Sequence, residues 1–245
     1  MDLDGKRVLL TGASRGVGAS IARALTDAGA TVVGVARTDT GGITGDLMDP
    51  SFVGGLIPQA LQGGPIDVLV NNAGVAVPGR LSEQSDANVR AVLRVNLEVP
   101  ALLCQAVLPS MLARGTGHIV NVSSLAMAVD TPGFASYGAS KAGLSSFTES
   151  LRVELEGSAV GVTLVEIGEA DTDMVHELRS DPQVDAIFSK SEQLRLQRML
   201  PVDEVASAIR AAIESDKSHV RLPRRAAAFP MIANIPRRIG RIFGP

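Results

Sequence analysis

The sequence predicts an α/β fold: a doubly wound parallel sheet with helices on both faces. Three observations predict it. Short apolar runs rich in β-branched residues alternate with longer amphipathic segments from the first residues to about position 215. Several of these runs end in turn-forming clusters, TGASRGVG, NNAG and the serine pair closing HIVNVSS. The spacing between runs leaves room for the right-handed crossover that each parallel step requires.

Taken in order, residues 8–10 read as the first strand, followed by a glycine-rich turn and a helix through Ala28. A second strand covers 31–36. Residues 67–70 form a short apolar strand running into NNAG, 117–122 another, and 160–167 a further one. Between them the pattern places helices near 51–62, 84–112, 135–156 and 202–214. The segment 173–200, polar with scattered aliphatics, reads as a lid over a site. There are no repeats and no low-complexity linker, so residues 1–222 are expected to form one domain, with 223–245 as a basic tail.

Composition narrows the classes of function. With 245 residues, 45% hydrophobic and 20% charged, the chain can bury a sizeable core without staples. A net charge of -3 gives no whole-chain reason to expect nucleic-acid or membrane binding. The single cysteine, Cys104, cannot form an intrachain disulfide, and three scattered histidines offer no metal-ligand cluster. The opening MDLDGKRVLL carries no signal-peptide pattern, and AAAFPMIANI is short and interrupted by Pro230 and Asn234, so a cytoplasmic protein is expected. From Lys217 onward every charged side chain is basic, and Ile235, Ile239 and Ile242 recur at helical spacing. Such a segment suits an anionic membrane surface. Packing on its own or a neighbouring subunit is the preferred alternative.

The loop after the first strand carries Gly12, Ser14, Arg15, Gly16, Val17 and Gly18. Glycine permits a tight turn, close approach of backbone to a pyrophosphate and close helix–strand contact. The following helix then aims its N-terminal amides at the phosphates. A dinucleotide is expected there. At the end of the second strand, where an acid would bind the ribose hydroxyls of NAD, this chain has Ala36 and Arg37. Arg15 and Arg37 suit the 2′-phosphate of NADP, although Asp39 is close, and NAD is the alternative. Asp46 can accept from the adenine amino group with Leu47 beside it, or simply cap a turn.

The only tyrosine, Tyr137, precedes Lys141 by four residues, which places phenol and ammonium on one helix face. A unit charge at roughly 5 Å in an effective dielectric of about 20 would favour the phenolate by about 3 kcal/mol. That predicts a phenol acidic enough to exchange protons near neutral pH.

In their order, TGASRGVG, GDL, NNAG, VNLEVP, HIVNVSS and YGASKAG resemble the short-chain dehydrogenase/reductase family over about residues 5–215. The resemblance implies a Rossmann-type fold and an oxidoreductase interconverting a carbonyl and a secondary alcohol. It implies a catalytic tetrad of Asn96, Ser124, Tyr137 and Lys141. Ser124 would polarise the carbonyl, Tyr137 would deliver the proton, Lys141 would hold the nicotinamide ribose, and Asn96 would hold a water. Asn96 read without the family is a helix-interior amide satisfying backbone groups. Asn72, Ala73 and Gly74 would line the adenosine and ribose, and Ala170 and Thr172 the carboxamide and phosphates. A homodimer or homotetramer would form through the 84–112 and 135–156 helices. The chain departs from the family after 160–167: Ile167 replaces the usual proline, which predicts a freer turn, and Glu169 is expected to bring a negative charge near the carboxamide. His176 is expected to be solvated. The alternative to an enzyme is a dinucleotide-binding regulatory protein without turnover.

Overall fold

A computed structural model describes residues 1–125, 132–193 and 198–223. The basic tail, and with it the membrane or packing question, lies outside the described residues. Seven parallel strands form one sheet in the order β3-β2-β1-β4-β5-β6-β7. They are β1 (Arg7–Thr11), β2 (Thr31–Ala36), β3 (Ile43–Thr44), β4 (Val68–Asn71), β5 (Gly117–Ser124), β6 (Val160–Ile167) and β7 (His219–Leu222). The order reverses direction beside β1, where β4 joins the other edge, and open α/β sheets bind ligands in the crevice at such a point.

Helices α1 (Gly16–Thr26) and α8 (Val202–Glu214) cover one face, sealing Ile21, Leu25, Ile209 and Ile213 against Val8, Val70 and Val165. On the other face lie α2 (Pro50–Leu61), α4 (Val99–Arg114) and α5 (Ala135–Glu154), with Leu56, Leu103, Val107 and Leu151 against Leu9, Leu69 and Ile119. Central strands buried on both faces read as continuous apolar runs, which is why VLLT and VLV carry no alternation. Each fully buried aliphatic of this kind contributes about 1.5–3 kcal/mol. Helix starts follow local chemistry. Asp49 accepts from Ser51 N at 2.8 Å with Pro50 in the first turn, and Ser85 accepts from Asn88 N at 3.2 Å.

Three expectations change. The continuous helix over 84–112 is divided into α3 (Asp86–Leu93), a π-helical turn at Arg94–Glu98, and α4. Pro100 has no N–H to offer the Asn96 carbonyl four residues back, so the regular ladder cannot pass through this point. Two short strands, β3 and β7, extend the sheet at its edges. The lid segment contains α6 (Asp173–Arg179), capped by Thr172 Oγ1 on Val175 N, and α7 (Pro182–Gln193). The stretch Asp86–Arg114 has the length and hydropathy of a membrane span, yet it supplies Leu103, Cys104, Val107 and Met111 to the core.

Candidate active site

A cleft of about 570 Å³ opens at the carboxyl ends of the strands. Its wall includes the glycine loop, Arg37, Asp46, Leu47, the 72–74 segment, Ser124, Tyr137, Lys141, Ala170 and Thr172. Of the catalytic and cofactor-binding residues read from the sequence, all but Asn96 line this one cleft. A shallower hollow of about 530 Å³ lies between α5 and the β6–β7 edge, and none of the predicted residues reaches it.

The glycine loop is built by close approach. Gly12 takes φ +71°, and a Cβ there would sit 2.9 Å from Ala73 Cα. A Cβ on Gly18 would fall 1.9 Å from the Gly12 carbonyl oxygen, which no side chain survives. Thr11 Oγ1 accepts from Asn72 N at 3.0 Å and Ala73 N at 3.1 Å, while Asn72 Nδ2 donates back to Thr11 O at 3.1 Å. The NNAG segment is thereby tied to the loop, and Asn72 spends its amide on that tie. Arg37 is exposed on the rim, and Asp39 accepts from Gly41 N at 2.8 Å. Arg15 Nη1 lies 3.6 Å from Asp173 Oδ2, an exposed pair that solvent screens. Asp46 lines the cleft and also caps Met48 N at 2.9 Å, so its turn-forming reading holds. A loop held close by Gly12 and Gly18 and an exposed guanidinium just past β2 fit a dinucleotide phosphate.

At the other end of the cleft β5 delivers Ser124 and α5 delivers Tyr137 and Lys141. The Ser124 side chain hydrogen-bonds the phenol. Lys141 is buried, its Nζ 5.9 Å from the Tyr137 ring centroid and donating to Val122 O at 2.9 Å. The phenol is not acidified as the sequence suggested. Burial pushes the Tyr137 pKa up, with the Ser124 hydrogen bond working against that rise. Burial also brings Lys141 down to about 8. The ammonium spends its hydrogen bond on a backbone carbonyl rather than on the phenol.

Asn96 is fully buried behind the cleft. Its Oδ1 accepts from Val75 N at 2.8 Å, and its Nδ2 donates to Val75 O at 2.9 Å and Ser140 Oγ at 3.0 Å. The backbone-satisfying reading describes this amide. A Cβ added to Gly74 would lie 3.4 Å from Asn96 Oδ1 and 3.5 Å from Lys141 Nζ, so that glycine keeps a gap open between the two. Ser123 is structural, donating to Lys141 O at 3.0 Å.

The turn after β6 also differs from expectation. Glu169 is buried and points at Arg179 instead of lining the cleft, so its charge is matched. The turn is not left free by Ile167, because Gly168 N donates to Leu222 O at 2.9 Å and Leu200 brackets it through Leu200 N to Glu169 O at 2.8 Å and Asp171 N to Leu200 O at 2.9 Å. His176 is exposed and faces Asp171 Oδ1 at 2.8 Å. Sequence reasoning missed the apolar wall beside Tyr137, formed by Phe134, Met174, Leu178, Val184 and Phe188. Its members come from three segments with no shared periodicity.

Residues 6–183 match the short chain dehydrogenase family. A ketoacyl reductase, HetN, of Nostoc sp. is 41% identical over 180 residues, 66% of this chain and 63% of that protein. The 3-oxoacyl-[acyl-carrier-protein] reductase FabG of Salmonella typhimurium is 31% identical over 234 residues, 90% of this chain and 94% of that protein. Among solved structures, a chain from Beutenbergia cavernae assigned to an NAD(P) dependent gluconate 5-dehydrogenase, with NADP bound at low occupancy, superposes with a TM-score of 0.79 at 29% identity. The match covers 90% of this chain and 96% of that one. A short-chain dehydrogenase from Streptomyces avermitilis gives 0.81 at 28% identity over 98% and 95%.

Proposed function

The chain belongs to the short-chain dehydrogenase/reductase family, and on that premise we propose that it is an NADP(H)-dependent oxidoreductase interconverting a carbonyl and a secondary alcohol. When bound, the nicotinamide supplies or accepts the hydride. Gly12, Ser14, Arg15, Gly16, Val17 and Gly18 hold the phosphates, and Arg37 reads the 2′-phosphate. Asp46, Leu47, Asn72, Ala73 and Gly74 enclose the adenosine side. Ala170 and Thr172 face the carboxamide end.

Ser124 donates a hydrogen bond to the substrate oxygen, exchanging for it the bond it makes to the Tyr137 phenol in the free site. Tyr137 Oη delivers the proton. A pKa raised by burial suits this direction, because the phenol stays protonated and ready to donate. Lys141 places positive charge beside the ring that must carry the phenolate. Asn96 fixes the Val75 backbone in the loop after β4 and the back of the cleft, positioning rather than touching substrate. The observation that carries the reading is the meeting of Ser124, Tyr137 and Lys141 with the glycine cradle in one cleft. The apolar wall beside Tyr137 favours a carbonyl with an aliphatic flank, and 3-oxoacyl thioesters head the substrate panel because two relatives are named for that activity.

The reading extends to a cytoplasmic homo-oligomer. Cys104 is buried, with its thiol pushed up to about 12 by desolvation, which makes it an inert core thiol. Leu102, Leu112 and Val153 stand exposed on α4 and α5, the helices on which a second copy would seat.

The test is NADPH consumption with a panel of 3-oxoacyl thioesters, ketones and sterols. Tyr137→Phe is expected to lower kcat by ~10²- to 10⁴-fold, the usual size of a general-acid contribution. Arg37→Asp is expected to raise KM for NADPH at least tenfold, at about 1.5–3 kcal/mol for a charge-assisted bond, while leaving NADH little changed. Turnover that survives the loss of the phenol would remove Tyr137 as the proton donor, and an absence of NADPH consumption across the whole panel would exclude the enzymatic assignment.

A further inference from the structure

Beside its backbone bonds to Leu222 and Leu200, the turn after β6 has a side-chain anchor. Glu169, 6% exposed, accepts from Arg179 Nη2 at 2.5 Å and Nε at 3.2 Å through the same oxygen, Oε2. Arg179 ends α6, and its side chain is 17% exposed. The same guanidinium reaches α7: Nη1 lies 3.3 Å from Asp185 Oδ1, and its central carbon stands 5.3 Å over the Phe188 ring. Phe188 packs on Phe134 at 6.2 Å between centroids, and Phe134 meets Tyr137 edge-on at 6.1 Å. A continuous path of contacts therefore runs from the turn bearing Gly168 and Ala170, through Arg179 and two phenylalanines, to the phenol itself.

Resting on the oxidoreductase reading above, we infer that Arg179 is a positioning residue that couples the cofactor-facing turn to the aromatic wall of the substrate pocket. It adds a side-chain anchor to the backbone bonds that already hold the turn after Ile167. A planar fork suits this duty, since one guanidinium can bond two carboxylates in its plane and stack an aromatic ring on its face. Removing it takes away the guanidinium that bonds Glu169 and Asp185 and covers Phe188, so the turn and the α7 wall loosen together. The phosphate end of the cofactor, held by the glycine loop, lies away from this path.

The experiment compares wild type with Arg179→Met, Arg179→Lys, Glu169→Gln and the Glu169→Gln/Arg179→Met double variant. NADPH binding is followed by fluorescence, turnover by steady-state kinetics, and backbone opening by hydrogen exchange of the protein alone. Arg179→Met is expected to lower kcat/KM about tenfold or more, through both kcat and carbonyl KM, because a small misplacement of the reacting groups has effects of this order. Its Kd for NADPH is expected to stay within about threefold of wild type, since the phosphate contacts are untouched. Arg179→Lys should recover part of the loss. The double variant should be no worse than Arg179→Met alone, as expected of two residues sharing one interaction.

Exchange should quicken in both 168–172 and 182–190 while β1 and β5 stay protected. The inference is overturned by kcat/KM within about twofold of wild type, by additive effects, by loosening of one segment alone, or by exchange that rises uniformly through the sheet. If wild type turns over no carbonyl, the oxidoreductase reading fails on its own, and the exchange pattern still decides whether Arg179 couples turn and wall.

Discussion

At the scale of single residues, the proposed reduction depends on Lys141 through what its burial costs. An ammonium in bulk water titrates near 10.4. Here desolvation brings it to about 8, within reach of ordinary assay conditions, while the same burial moves Tyr137 upward. The two shifts have opposite consequences for reduction. A high phenol pKa keeps the proton donor loaded, whereas a low lysine pKa means that the charge stabilising the phenolate is lost as pH rises through 8. Reductive kcat is therefore expected to be flat below about pH 7 and to fall roughly tenfold per unit above pH 8, as for one ionisation. A pH–rate profile in saturating NADPH checks this, and a limb first appearing above pH 10 would assign control to the phenol instead. The pair itself was legible because i and i+4 share a helix face whatever surrounds it. The direction of the phenol shift was not legible, because desolvation depends on Phe134 and the lid segments, which no local spacing reveals.

At the scale of elements, legibility followed the strength of periodicity. Strands β1, β2, β4, β5 and β6 announced themselves as apolar runs, all but β2 running into glycine or serine turns. Strand β7 has the alternation too, with Val220 and Leu222 in the core and His219 and Arg221 toward Glu166, but four residues are too few to stand out. Helices α6 and α7 were hidden because their apolar residues serve a small local cluster, not a stripe against the sheet. Their caps were visible all the same, with Thr172 before α6 and Pro182 opening α7. The division of the 84–112 helix required knowing that Pro100 would release a carbonyl at a residue whose side chain is itself spoken for. That residue, Asn96, closes the α3–α4 junction by clamping both backbone groups of Val75. Asn96→Ala leaves a partly buried N–H and C=O without this partner, at about 1–3 kcal/mol each for full burial and less here as the loop after β4 relaxes toward the open cleft. We expect urea unfolding to report a loss of about 2–4 kcal/mol on that basis, together with weakened NADPH binding. Loss of affinity with stability unchanged would move Asn96 from a positioning role to direct contact.

At the scale of the whole molecule, the two ends of the sheet have opposite duties. The carboxyl ends leave a polar cleft open, and the amino ends are closed by a buried histidine. His118, 2% exposed on β5, has Nε2 2.8 Å from Thr163 Oγ1, which in turn donates to Lys217 O at 2.7 Å. Its Nδ1 lies 3.5 Å from Asp216 Oδ1, on the turn between α8 and β7 where Asp216 takes φ +51°. Burial lowers the imidazole pKa from 6.5 to about 4; Asp216 raises it, and the N-terminal ammonium lowers it further. Because the unfolded chain binds this proton first, it holds more protons than the fold between pH 6.5 and 4. Stability is thus complete above pH 6.5 and falls as pH drops toward 4, with no further change from this group below that. A shift of this size corresponds to about 3 kcal/mol. His118→Gln can keep a hydrogen bond to Thr163 and does not titrate. Urea midpoints at pH 7, 5.5 and 4 should show the wild type losing about 3 kcal/mol more than the variant across the range, the difference cancelling every other ionisation they share. Parallel losses in the two proteins would mean that Asp216 follows the imidazolium inward and holds it charged, so that the amino end of the sheet does not depend on a neutral ring.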